Sequence, residues 1–181
     1  MRALILGCLT LSMLVGAGCA SFRVATDFDP EFDFAAVRTW QWARVPGRAI
    51  ENDPRLTNDL VRERMRVALE EGLRAHGYAQ LEDGADVRVA YHLGIEKKID
   101  ITTLYTPAPV FRYGYMGVQD VQVREYERGT LLVDILTPDQ GRLVWRGTTQ
   151  ARLHEPGTPE QRDKRARRAV DAVLNRFPPS R

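Results

Sequence analysis

Side chains able to do chemistry are few, and their spacing excludes more than it offers. The sequence has two cysteines, Cys8 and Cys19, and three histidines, His76, His92 and His154. A zinc site needs three or four converging ligands. These histidines are not at ligand spacing and no cysteine stands near them, so no metal and no cofactor is expected. Serine occurs only at positions 12, 21 and 180, toward the chain ends, which leaves no serine triad to assemble. A threonine nucleophile has no motif around it. A carboxylate-based hydrolase would need two acids facing each other across a cleft with at least one shifted pKa, and no spacing here announces such a pair. The acidic alternation Asp27, Asp29, Glu31, Asp33 lacks the glycine and the bidentate glutamate of a calcium loop. It reads as the solvent face of an edge strand. The expectation is a protein that is not an enzyme.

The thiols carry more information. Met1 and Arg2 are followed by an uncharged apolar run from Ala3 to Val15 and then by Gly16-Ala17-Gly18-Cys19. A short positive start, an apolar stretch of this length and small residues at its end are the parts of a secretion signal. The run is too short to span a bilayer, which takes about 20 apolar residues. The small residues leading into Cys19 resemble a bacterial lipobox, although Gly16 stands where such boxes carry leucine. Residues 1–18 are therefore expected to be a signal peptide, and Cys19 the acylated first residue of a single domain, 19–181. Cys8 leaves with the signal, so one thiol remains, and acylation with palmitate-type chains accounts for it.

Two segments are candidates for recognition. Thr102 to Gly117 reads TTLYTPAPVFRYGYMG. Tyr105, Phe111, Tyr113 and Tyr115 sit there among prolines and glycines, as a long loop of the kind that often carries function. Either these rings meet a partner or they fold back to cover an open sheet face. The last helix is basic, and Arg162, Arg165 and Arg168 on its exposed side suit an anionic surface such as lipid phosphates. The alternative there is a solvated face, with Asp163 and Asp171 interleaved. Lys and Arg number 26 against 24 Asp and Glu, a net charge of +2, which leaves no basic footprint for nucleic acid.

Periodicity supplies the elements that position these residues. Phe28, Phe32 and Phe34 share one parity, and Pro30 breaks the segment into a strand and a turn. Arg38 to Ala43 reads as a strand with Trp40 and Trp42 on one face, followed by a loop from Pro46 to Asn52. A helix is expected to start at a capping Asp53 with Pro54 in its first turn. Its apolar stripe is Leu56, Leu60, Met65, Ala68, Leu69 and Leu73, and it stops at Gly77. Asp86 to Leu93 alternates, with Val87, Val89, Tyr91 and Leu93 inward and His92 opposite. Gly129–Leu136 and Arg142–Leu153 make a hairpin. Thr158-Pro159-Glu160-Gln161 is a capping box before a helix that buries Ala166, Ala169, Val170, Val173, Leu174 and Phe177. This order predicts an α+β two-layer sandwich: a mainly antiparallel sheet of about five or six strands with two helices on one face.

Three segments together resemble a known family. They are Phe34-Ala35-Ala36-Val37-Arg38-Thr39-Trp40-Gln41-Trp42, Ala85-Asp86-Val87-Arg88-Val89-Ala90-Tyr91, and Gly129-Thr130-Leu131-Leu132-Val133-Asp134 leading to Leu143-Val144-Trp145-Arg146-Gly147. With the lipoprotein start and the Phe177-Pro178-Pro179 ending, the chain looks like the domain-of-unknown-function 4136 family of bacterial lipoproteins. The resemblance implies an envelope lipoprotein with no assigned reaction and brings no catalytic residues. Lipoproteins with Ala rather than Asp after the cysteine go to the outer membrane as a class, so Ala20 implies an anchor there, facing the periplasm. The expected function is a binding or scaffolding module, held to the membrane through lipidated Cys19 and meeting an envelope protein or lipid partner. The alternatives are a carrier or binder of lipid or envelope polymer, and the carboxylate-based hydrolase.

Overall fold

In the computed structural model, the described residues are 22–49, 53–106, 118–153 and 157–179. Strand β1 (Arg23–Phe28) leads through a turn and a short 3-10 segment, Phe34–Ala36, into β2 (Thr39–Ala49). Helix α1 (Asp59–Ala75) follows, then the two-residue β3 (Ala79–Gln80), the long β4 (Val87–Thr106) and β5 (Val118–Leu136), then β6 (Leu143–Arg152) and helix α2 (Pro159–Leu174). The six strands form one sheet in the order β1-β6-β5-β4-β2-β3. Neighbours are antiparallel except that β2 runs parallel to both β4 and β3. That exception follows from α1, whose crossover returns the chain in the direction it left. The result is an α+β fold with a mixed sheet of six strands and two helices, as the order of elements predicts.

Alternation sets the faces. Val87, Val89 and Tyr91 on β4, Leu131, Val133 and Ile135 on β5, and Trp145 on β6 are buried against Met65, Leu69 and Leu73 of α1 and Val170, Val173 and Leu174 of α2. Phe34 and Phe177 close one end edge to face, with ring centroids 6.0 Å apart. Two glycines let large groups approach. A Cβ on Gly72 would lie 2.9 Å from both Leu174 and Val170, and one on Gly147 would lie 2.3 Å from Trp145 and Val173. Both positions are held small by the packing around them.

The caps divide into one as expected and one displaced. Thr158 and Gln161 form the reciprocal box that starts α2. Helix α1 starts later than Asp53: Asn58 is its cap, accepting from the Val61 N–H at 3.0 Å. Asp53 instead shapes a preceding turn, where Leu56 N–H donates to its carbonyl and Arg55 N–H to its carboxylate. Leu60 therefore falls in the first turn of α1 and is 75% exposed, not part of the buried stripe. Two further corrections concern length. Strand β2 runs on to Ala49 through the start of the expected 46–52 loop, and β4 continues to Thr106 where the aromatic loop was expected to begin. Of the acidic alternation, only Asp27 lies in edge strand β1. Asp29 accepts from Glu31 N–H and pairs with Arg142, while Asp33 caps the 3-10 segment.

Candidate functional site

Where β3 ends after two residues, the sheet edge and α1 leave a solvent-open cleft of about 770 Å³. Trp40 and Trp42, two apart on β2, supply its aromatic wall; their rings meet at 87° with centroids 5.0 Å apart. Glu70 and Arg74, four apart and so one above the other on α1, supply polar groups, and Tyr78 to Glu82 complete the lining. Strand β3 is held by Ala79 N–H to the Arg38 carbonyl at 3.0 Å and Leu81 N–H to the Trp40 carbonyl at 2.8 Å. The Trp42 indole N–H donates to Glu70 at 3.1 Å, and the same carboxylate accepts from Arg66 at 2.8 Å. Trp40 is buried and its indole N–H has no partner among the described residues. A buried donor left unpaired has a cost comparable to a lost hydrogen bond. Burial raises the pKa of the Tyr78 phenol above its ordinary value, which keeps it a neutral donor. Aromatic walls with a few placed polar groups, at this volume, suit a small ligand or a protruding side chain.

The opposite sheet face carries a different arrangement. Asp134 on β5 is only 4% exposed although no helix covers it. Arg146, its register partner on β6, donates to both carboxylate oxygens at 2.7 Å. This bidentate pair raises the pKa of Arg146 further above its ordinary value. His92 on β4 places Nε2 3.2 Å from the same carboxylate. The cluster has the first two members of a relay, but its acid is already engaged by arginine, and it reads as a structural clamp across β4, β5 and β6. His76 closes the end of α1, with Nδ1 2.9 Å from the Gly72 carbonyl and Nε2 3.3 Å from Oδ1 of Asn175, the residue that caps the C-terminus of α2. Among the described residues no three metal-ligating side chains converge.

The residues singled out from sequence fall in several places. Cys19, Phe111, Tyr113, Tyr115 and His154 lie outside the described residues. Tyr105 stands within β4, in register with Gln119 of β5. On α2, Arg162 donates to the Gly157 carbonyl at 3.0 Å and Arg167 pairs with Glu71 of α1 at 2.7 Å. Both therefore fasten the helix, and Arg165 and Arg168 make no ion pair among the described residues. Sequence reasoning missed the cleft, because its two walls come from β2 and α1 and meet only in the fold. It also missed a hairpin arm. Beyond the rungs where β6 and β2 stop, β4 and β5 pair, among the described residues, only with each other from Lys98↔Tyr126 to Thr106↔Val118. The signal was present as period-two alternation in Ile99-Asp100-Ile101 and Val121-Gln122-Val123.

A mixed six-stranded sheet with two helices on one face and a projecting hairpin defines the class as a two-layer α+β domain. The sequence profile described as Domain of unknown function (DUF4136) matches residues 24–179, and the chain belongs to that family. No curated protein matches the sequence. Among solved structures, the chain is similar to a DUF4136 family protein from Bacteroides thetaiotaomicron, at TM-score 0.50 and 15% identity, over 87% of this chain and 96% of that one. It is also similar to a PDZ domain protein from Parabacteroides distasonis, at TM-score 0.53 and 14% identity, over 88% of this chain and 37% of that one. The chain thus spans well under half the length of that protein. At identities this low the likeness shows the fold alone.

Proposed function

We propose that this protein is a lipid-anchored envelope module, non-enzymatic, that binds a partner at the periplasmic face of the outer membrane. The binding half of the reading is carried by the cleft, where the half-buried Trp42 ring, held by its indole N–H to Glu70, lies over the buried Trp40 beside Tyr78 and Arg74. A partner bringing an apolar or flat group would bury the exposed part of the Trp42 ring and meet the polar groups of Glu70 and Arg74 at its edge. Trp42 and Arg66 both donate to Oε1 of Glu70, which fixes this carboxylate on the cleft wall and leaves Oε2 to meet a partner's donor. The anchoring half rests on Gly16-Ala17-Gly18-Cys19 after an apolar run. Two or more acyl chains make such an anchor firm, at about 0.8 kcal/mol per buried methylene.

A second reading, a binder of an envelope polymer, is favoured by the half-buried Trp42 ring beside Glu70, Arg74 and Gln80, since sugar units stack on rings and hydrogen-bond at their edges. The test is a photoreactive residue at Leu81, an exposed position on the cleft rim, irradiated in intact cells. A discrete adduct that is lost on Trp42→Ala supports cleft binding, and its composition separates protein from polymer. An adduct pattern unchanged by Trp42→Ala would refute it.

A further inference from the structure

The hairpin arm has two unlike faces. Paired residues share a face, so Ile99, Ile101, Val121 and Val123 lie together, on the side of the sheet that farther back packs against the helices. All four are more than half exposed. The charges on that face, Lys97, Glu125 and Glu127, gather toward the arm's base, and Glu127 is paired there with Arg55. On the other face Glu96 pairs with Lys98 at 2.8 Å, Arg152 approaches Asp100 at 3.6 Å, and the Arg152 guanidinium sits 3.9 Å over the Tyr126 ring. One face is thus apolar toward its far end, and the other is charged and internally paired.

The register ties this arm to the chain's N-terminus. Arg23 is level with Gln150, which is level with Thr130 and Gly94. Strand β1 runs from there away from the arm, so the residues before Arg23 enter the sheet at the arm's end. Thr106 lies twelve residues beyond Gly94, about 40 Å at 3.3 Å per residue. Cys19 precedes Arg23 by four residues, which confines it to within about 14 Å whatever path they take. That reach is shorter than β1 itself, about 20 Å for its six residues. A lipid on Cys19 would therefore stay nearer the arm's end of the sheet than the opposite end, within reach of a bilayer lying along the arm.

We propose that the apolar face of the hairpin, Ile99, Ile101, Val121 and Val123, docks on the lipid bilayer that holds acylated Cys19, with the charged face turned to water. This rests on the anchoring reading above and adds a second contact to it. A short tether brings an unpaired apolar strip against a surface that takes it up, as amphipathic elements do at interfaces.

The test uses the protein produced in cells from its full-length precursor, its acyl content read by mass, and mixed with vesicles of phosphatidylethanolamine and phosphatidylglycerol. Ile101→Cys and, separately, Thr102→Cys are labelled with a polarity-sensitive fluorophore. The two positions are neighbours at the same distance from the anchor and differ only in face, and both are exposed, so neither substitution disturbs the core. Docking predicts that the label at 101 shifts to the blue and loses emission to spin-labelled lipid, while the label at 102 stays in water. If both labels stay in water while the protein floats with the vesicles, the docking fails and the anchor stands. Equal quenching of both labels would contradict the facial assignment. If the protein does not float and carries no acyl group, the anchor and the docking fall together.

Discussion

The packing of α2 on α1 can be tested by a double-mutant cycle at Gly72 and Leu174. Leu174 is 1% exposed, and its Cδ1 lies 2.9 Å from where a Cβ on Gly72 would stand. Leu174→Ala removes buried methyl groups and leaves a cavity, at a cost of about 2–5 kcal/mol. Gly72→Ala adds an atom where none fits, an overpacking cost of about 1–3 kcal/mol. The helix preference for Ala over Gly offsets about 1 kcal/mol of that, leaving a net loss of about 0–2 kcal/mol. Combined, the two changes relieve each other in part: the Leu174 contact is gone and the new methyl enters the vacated space, although Val170 stays 2.9 Å away. The double mutant should be more stable than the sum of the singles by about 1 kcal/mol or more. Equilibrium urea unfolding followed by the fluorescence of the buried Trp40 and Trp145 measures all four corners. Additivity within about 0.3 kcal/mol, or a Leu174→Ala loss below about 1 kcal/mol, would refute the helix contact described here. Leu60→Ala is the internal control. At 75% exposure it should change stability by less than about 0.5 kcal/mol.

Other expectations follow from polar contacts. Arg146→Met should cost about 1–3 kcal/mol by leaving buried Asp134 with His92 alone beside it, less than for a fully buried pair because Arg146 is 41% exposed. Denaturation of this variant beside Arg146→Met with Asp134→Leu checks it, and the double change should recover most of the loss. Asp86 accepts from the backbone N–H groups of Arg38 and Thr39 and from the Thr39 hydroxyl, bonds that hold its carboxyl below the ordinary carboxylate range. Its contribution is therefore present above the unfolded pKa and is lost as pH falls through the lower folded value. Asp86→Asn should flatten the acid limb of a melting-temperature profile below about pH 4 and leave its alkaline side unchanged. Gly147→Ala should destabilise by about 1–3 kcal/mol in thermal melts, since its Cβ would meet Trp145 and Val173.

How much of this could be read in advance depended on how local each feature is. The faces of β4, the capping box of α2 and the burial of Val170, Val173 and Leu174 follow from spacing within one element, and the sequence shows them directly. The start of α1 did not, because Asp53-Pro54 and Asn58 are both acceptable caps. The choice fell to Asn58, with Asp53 used in the turn ahead of it. Asp86 stands inside a family segment, yet its role depends on Arg38 and Thr39, more than forty residues away in the chain. The cleft was illegible for the same reason: Trp42 reads as a core residue until Glu70 is seen beside it. The extension of β4 and β5 was masked by charges, Glu96, Lys97, Lys98 and Asp100, that interrupt the apolar alternation. Those charges are accommodated because a two-stranded ribbon has both faces open to water where no third strand or helix covers it.

The central claim, a lipid-anchored module, is tested most directly by growing cells with an alkyne-bearing fatty acid and capturing the wild-type protein and its Cys19→Ala variant. The account predicts label on the wild type, recovered in the membrane fraction with its processed chain beginning at Cys19. The variant should carry no label and either leave the membrane or retain its leader. Equal labelling of the two proteins, or an unlabelled wild type with a free thiol at position 19, would contradict it.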